Sequence, residues 1–254
     1  MGKNKLRKFA EMEDMECVYQ YPFRTVSDGL ECPLRGQWHT RIFHNANPIV
    51  LELGCGKGEY TVGLAKAFPN KNFIGIDIKG SRMYTGAKAV EEEGLNNAVF
   101  LRTSIELLDR FFAPGEVSEI WITFADPQMK KRNKRLTGTR FQEMYRRILP
   151  AHGGVIHLKS DSPFLTTYTR DVITLNSLPL EADITDVHNT PLAAEDIYLD
   201  DILTHYERQW IDRGLSIKYL RWMLTPGDSL AEPAEDPEPD TYRSYARGTL
   251  QMNL

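Results

Sequence analysis

Between residues 48 and 158 the chain alternates short apolar runs with stretches of helical periodicity, and this alternation restricts the fold more than any other feature. Five runs, at 48–53, 72–78, 98–101, 119–124 and 154–158, read as strands. Segments 59–68, 81–93, 105–112 and 139–149 between them read as helices. Tyr60, Leu64 and Phe68 share a face of the first, and Gly94 provides a stop signal after the second. Strands that are apolar at consecutive positions need cover on both faces, which predicts a parallel, doubly wound α/β sheet. Further on, 164–175 reads as a helix, 184–187 as a weak strand and 203–213 as a helix ended by Gly214. Residues 216–224 read as a long strand with no helix after it, expected to enter antiparallel at a sheet edge.

The 254 residues suffice for one sizeable core. We expect a lead-in with a basic arm (Lys3, Lys5, Arg7, Lys8) over 1–47, one domain over 48–224 and a solvated Pro- and acid-rich tail over 225–254. No apolar run reaches the roughly eighteen residues of a membrane span, and the N-terminus lacks the apolar stretch of a secretory signal. Cys17, Cys32 and Cys55 are too scattered for a disulfide framework or a zinc site, so a cytoplasmic protein without a metal is expected. The net charge of −4 hides a segregation. Asp228, Glu232, Glu235, Asp236, Glu238 and Asp240 fall in a stretch without a base, so the remainder is on balance positive. Lys130, Lys131, Arg132, Lys134 and Arg135 lie almost side by side within it. An acidic chain can therefore still meet a polyanion through a local patch.

The sharpest local signal is Glu52-Leu53-Gly54-Cys55-Gly56-Lys57-Gly58, placed after a strand and before a helix. Glycines at alternate positions let the backbone approach a ligand. A dinucleotide fingerprint needs its third glycine where this chain has Glu59, so that pattern fails. Glu52 suits an ammonium group better than a pyrophosphate. Asp77 ends the next strand, at the sheet edge where open parallel sheets bind ligands, and can accept both hydroxyls of a ribose. Together these residues describe a nucleoside with an amino-acid tail, the shape of S-adenosylmethionine. Asp126 and Asp161 end the fourth and fifth strands at the same edge, and the basic run follows Asp126 directly. A basic loop at the mouth of such a site is expected to recruit nucleic acid. Asp161 also reads as a helix N-cap, and Thr204-His205-Tyr206-Glu207 alone reads as an ordinary amphipathic turn.

ELGCGKG at 52–58, IGIDI at 74–78, FADP at 124–127 with KKRNKRL behind it, KSD at 159–161 and THYE at 204–207 occur in an order that resembles the bacterial-type tRNA (guanine-N7-)-methyltransferases. The resemblance implies a Rossmann-like seven-stranded class I methyltransferase sheet with an antiparallel last strand. The implied reaction moves a methyl group from S-adenosylmethionine to guanine N7 in the tRNA variable loop. Residue by residue, it implies cofactor contacts at Glu52, Asp77 and Asp126, with Asp126 also catalytic. Gly54, Gly56, Gly58, Thr103 and Ser104 complete the expected cofactor site, Thr103 standing where the family usually has Asp or Asn. Expected substrate contacts are Lys130, Arg132, Lys134, Arg135, Asp161, Thr204, Tyr206 and Glu207. The family commonly places Trp after the Asp-Pro pair, where this chain has Gln128, and its basic loop is usually longer. A small-molecule methyltransferase would have no use for the clustered bases. A non-catalytic RNA-binding relative would be expected to have lost Glu52, Asp77 or Asp126.

Overall fold

A computed structural model describes residues 3–21 and 32–242, with side chains described from residue 7 onward. In chain order the elements are α1 (Lys3–Glu13), β1 (Val18–Gln20), β2 (Ile49–Leu53), α2 (Glu59–Ala67), β3 (Asn72–Asp77), α3 (Gly80–Glu93), β4 (Ala98–Arg102), β5 (Glu119–Thr123), α4 (Thr139–Arg146), β6 (Gly154–Ser160), α5 (Pro163–Leu175), β7 (Leu180–Ile184), α6 (Tyr198–Asp201), α7 (His205–Ile211) and β8 (Lys218–Leu224). The strands form an eight-stranded sheet in the order β1-β4-β3-β2-β5-β6-β8-β7. Every residue of β2 is buried, so the sheet is covered on both faces there. Strands β1 to β6 pair in parallel. From β2 the chain builds outward through β3 and β4, then crosses back to place β5 on the other side of β2. That reversal opens a crevice at the carboxyl ends of β2 and β5.

The structure departs from the expected fold in four places. The sheet has one strand more than the seven expected, because β1 pairs outside β4. The described residues before 48, 3–21 and 32–47, are therefore not a free arm. Their basic stretch lies in α1, Met12 and Trp38 are fully buried, and Trp38 Nε1 donates to Phe111 O at 2.9 Å. Strand β8 is antiparallel as expected, but it lies between β6 and β7 rather than at the edge. Polarity explains the order: β8 (KYLRWML) carries Tyr219, Leu220, Trp222 and Leu224 into the core, whereas β7 (LEADI) is largely exposed and takes the edge. Finally, residues 226–242 are not simply solvated but lie across α4, α5 and the loop after β5. Cys17, Cys32 and Cys55 are free and buried, and among the described residues no helix is long and apolar enough to cross a membrane.

The glycine loop is seated by close packing. Gly58 has φ +74°, and a Cβ there would stand 2.5 Å from the Phe100 ring and 3.1 Å from Gly86 Cα. Gly86 of α3 is as tightly held, so α2, α3 and β4 meet where only glycine fits. Gly58→Ala is expected to destabilise the fold by about 2–5 kcal/mol, from left-handed strain plus overpacking. Urea unfolding checks this, and an unchanged midpoint would mean that Phe100 moves aside at no cost.

Candidate active site

The loop after β2 turns on three left-handed glycines, Gly54 (φ +78°), Gly56 (φ +56°) and Gly58 (φ +74°). Gly54 N and Cys55 N both donate to Ile76 O, at 2.8 and 3.0 Å, and Gly58 N donates to Cys55 O at 2.7 Å. Gly56 N donates to Asp77 Oδ2 at 3.0 Å. With these amides satisfied inside the protein, the loop is poorly suited to cradle a pyrophosphate, as its sequence implied. A Cβ on Gly54 would meet nothing within 4 Å, so the backbone there faces open space.

Glu52 lies beneath this loop and is 4% exposed. Its Oε2 accepts from Thr61 N at 2.8 Å and from Thr61 Oγ1, and its Oε1 accepts from Thr123 Oγ1 at 2.6 Å. Helix α2 has Gly58 as its N-cap, without a capping side chain, and Thr61 N is one of its early unpaired amides. A carboxylate borrowed from the neighbouring strand satisfies it. Burial raises the Glu52 pKa from 4.5 to about 7; the Thr123 and Thr61 hydrogen bonds oppose this rise, and nearby Asp77 adds to it.

Asp77 is part-exposed at the end of β3, its Oδ1 accepting from Lys79 N at 2.7 Å while Oδ2 holds Gly56. Thr103 follows β4; it is 1% exposed and its Oγ1 has no hydrogen-bond partner among the described residues. Ser104 occupies the N-cap position of the short 3-10 turn that begins at Ile105, without a side-chain cap hydrogen bond. An open glycine backbone, a strand-end carboxylate and an orphaned buried hydroxyl fit a nucleoside carrying an amino-acid tail.

Across the crevice, Asp126 stands exposed beyond β5. Its Oδ1 accepts from Gln128 N at 2.9 Å, closing a local turn. Phe124 (φ +48°) and Gln128 (φ +49°) flank it in left-handed conformations that bulky residues avoid. Phe124 N is held by Lys159 O at 2.9 Å, so the neighbouring strand end imposes part of this strain.

The expected substrate residues separate into two groups. Lys130 is exposed and its side chain makes no hydrogen bond or ion pair among the described residues, and the same holds for the side chain of Lys131. Lys134 reaches Glu106 at 2.6 Å, and Tyr206 lies part-exposed with the Arg82 guanidinium 5.9 Å from its ring centroid. Arg132 pairs with Asp236 at 2.8 Å. For two residues the expected surface position needs correction. Arg135 is not on a solvent-facing loop: it is fully buried, packed over the Phe164 and Tyr168 rings at 4.7 and 4.4 Å and paired with Asp236 at 2.6 Å. Glu207 is likewise fully buried, 2.7 Å from Lys159 Nζ and 3.0 Å from His188 Nε2. Its Oε1 is committed to these two neighbours, and its Oε2 accepts from Thr204 N at 3.4 Å in a capping box at the start of α7. The T-x-x-E spacing before a helix is the sequence signal that could have revealed this role. Asp161 is buried just beyond β6, and its Oδ2 accepts from Tyr242 OH at 2.7 Å. The sequence gives no sign of Lys159 as a buried charge: it is fully buried, and desolvation holds its pKa below the usual lysine value although Glu207 opposes the fall. Glu59, which breaks the dinucleotide pattern, accepts from His205 N at 2.9 Å and joins α2 to α7.

A glycine loop, strand-end carboxylates and a sheet of this order define a methyltransferase. The family model described as "Putative methyltransferase" matches residues 46–220. The fold is similar to that of the 16S rRNA methyltransferase KamB (TM-score 0.53, 15% identity, 74% of this chain and 92% of that one). It is also similar to a 30S ribosomal A1408 methyltransferase from an uncultured bacterium (TM-score 0.51, 16% identity, 72% and 90%). The tRNA (guanine-N(7)-)-methyltransferase of Bacteroides fragilis is 54% identical over 97% of this chain and 96% of its own. That of Porphyromonas gingivalis is 57% identical over 93% and 96%. The chain belongs to the tRNA (guanine-N7-)-methyltransferase family.

The raised Glu52 pKa carries a stability signature. Because the folded value lies above the unfolded one, the protonated form favours the fold, and that contribution is lost as pH rises from 4.5 through about 7. Relative to the native chain, Glu52→Gln should gain about 3 kcal/mol between pH 4.5 and 8. Paired denaturation curves across that range check it. Parallel pH profiles for the two proteins would show that the carboxylate stays ionised despite its burial.

Proposed function

We propose that this chain transfers a methyl group from S-adenosylmethionine to N7 of a guanine in the variable loop of tRNA, in the cytoplasm. The observation that carries this reading is Asp126, an exposed carboxylate at the sheet's switch point, with the glycine loop on one side and unpartnered Lys130 and Lys131 on the other. The names of the curated relatives support the substrate. Asp77, Thr103 and the loop at Gly54 and Gly56 would hold the cofactor. When bound, it supplies an electrophilic methyl group on a sulfonium.

Guanine N7 presents a lone pair, so the chain need not remove a proton before attack. Its task is alignment, which alone can contribute a large share of the rate. N7 alkylation leaves positive charge on the ring, and a carboxylate fixed beside it offsets that charge as it develops. Asp126 is suited to this because only Oδ1 is used internally, by Gln128 N, while Oδ2 has no partner among the described residues. The same carboxylate can accept from the N1 and N2 edge of guanine, which adenine cannot offer. Reaching N7 in folded tRNA calls for partial extrusion of the base.

Incubation with labelled S-adenosylmethionine and unmodified tRNA, followed by aniline cleavage, tests the reaction, and strand scission in the variable loop is expected. Methyl transfer to a small molecule alone would overturn the reading. Asp126→Asn keeps the shape and removes the charge, so kcat should fall on the order of 10²-fold or more. Single-turnover kinetics at saturating cofactor and tRNA isolate that step, and a near-native rate would remove Asp126 from the chemistry.

A further inference from the structure

Residues 231–241 (AEPAEDPEPDT) contain no large apolar side chain and no base. Pro233, Pro237 and Pro239 keep the segment out of helix and sheet. It is nonetheless docked, and three of its carboxylates hold it. Glu232 Oε1 accepts from Thr139 N at 3.1 Å and Thr139 Oγ1 at 2.6 Å, at the start of α4, where the N-cap Gly138 offers no side chain. Asp236 Oδ1 accepts from Arg132 at 2.8 Å and Arg135 at 2.6 Å, and its Oδ2 accepts from Arg135 at 2.9 Å. Asp240 Oδ1 accepts from Phe164 N at 2.9 Å, in the first turn of α5, and its Oδ2 accepts from Ser162 Oγ. Tyr242 then covers Asp161, its hydroxyl donating at 2.7 Å and its ring 5.6 Å from that of Trp210.

Two helix N-termini and a guanidinium pair are groups that bind phosphate elsewhere in proteins. Here each takes a carboxylate of the chain itself. Docking by charge with little apolar burial is the kind of contact that a competing polyanion weakens. Arg135 holds Asp236 below the usual carboxylate range, so the occupant is anionic at neutral pH. We propose that the surface formed by Arg132, Arg135 and the N-termini of α4 and α5 is a phosphate-binding surface for RNA, occupied at rest by the acidic segment 232–242, which tRNA displaces as it binds. This rests on the tRNA reading above and adds to it an internal competitor that also uncovers Asp161. RNAs that engage the surface weakly would fail to displace it, so the segment would sharpen selection for folded tRNA.

Hydrogen exchange on the full chain, with and without saturating unmodified tRNA, gives the direct test. Amides of 226–242 should exchange faster when tRNA is bound; unchanged or slower exchange would overturn the proposal, because the segment would then be a fixed clamp. A second measurement compares two full-length triple variants. Glu232→Gln with Asp236→Asn and Asp240→Asn removes the docked charges. Asp228→Asn with Glu235→Gln and Glu238→Gln removes the same charge from side chains that make no contact with the basic surface. The first should bind tRNA on the order of 10-fold more tightly, with a salt slope steeper by about 0.7–0.9 for each phosphate contact no longer contested. Equal tightening in the second would overturn the proposal by reducing the effect to net charge. A chain that makes N7-methylguanine while 226–242 stays protected sinks this inference alone; a chain that does not bind tRNA sinks both.

Discussion

The Glu52 carboxylate joins three elements at the point where the ligand crevice opens. It originates in β2, caps α2 through Thr61 and is tied to the end of β5 through Thr123. Helix α2 begins at a glycine because the loop needs a left-handed turn pressed against Phe100 and Gly86, and a glycine cannot cap a helix with its own side chain. A neighbouring strand therefore has to supply the acceptor. Burying that acceptor carries a desolvation cost, visible in its raised pKa, and three hydrogen bonds offset it. The glycine loop and the strand leading to Asp126 are consequently locked to each other, which gives the two sides of the crevice a fixed separation. An ammonium group of a bound ligand would meet Glu52 only across this network, so the residue acts first as a support.

Sequence made the central sheet legible because β2, β3, β4, β5 and β6 are consecutive apolar runs, and glycines or acids mark an end of each except β4. The strand-end carboxylates Asp77 and Asp126 could be placed for the same reason: in a parallel sheet the residue after the last apolar position emerges at the carboxyl edge. Short, weakly patterned elements were not legible. Strand β1 is three residues long, and its membership in the sheet is set by Phe100 N donating to Cys17 O at 2.7 Å, a pairing between residues far apart in sequence. The order of β7 and β8 depends on which of two strands buries more, a comparison that only the assembled sheet makes.

The misplaced and missed residues share one cause. Arg135, Lys159 and Glu207 are fully buried charged residues with ionic partners, and burial of a charge is invisible in sequence because composition assigns such residues to the surface. Each pair spans a long separation: Arg135 meets Asp236, and Lys159 meets Glu207. Removing one partner of such a pair leaves an uncompensated charge in low dielectric. The loop after β5 is thereby fixed at its far end by Arg135 while Lys130 and Lys131 remain exposed nearer Asp126. Lys159 and His188 similarly fix Glu207 and with it the start of α7, which carries Tyr206 toward Arg82.

The same accounting explains how a chain of net charge −4 can present a positive edge. Several cations away from the crevice are matched with acids: Lys66 with Glu93, Lys71 with Glu119, Lys88 with Glu92, Arg170 with Asp183 and Arg221 with Asp196. The ammonium groups of Lys57, Lys79, Lys130 and Lys131 make no hydrogen bond or ion pair among the described residues, and all four lie in loops that follow β2, β3 or β5. Screening limits each exposed pair to a short-range effect, so matched charges contribute little to the field a distant polyanion feels. Unmatched charges carry most of the field that a polyanion meets within about a Debye length of the surface, and these four lysines place part of it at the carboxyl edge of the sheet. Net charge sets solubility and the general repulsion of polyanions; the arrangement of pairs decides where unmatched positive charge remains, and Lys130 and Lys131 leave some of it in the loop that follows Asp126.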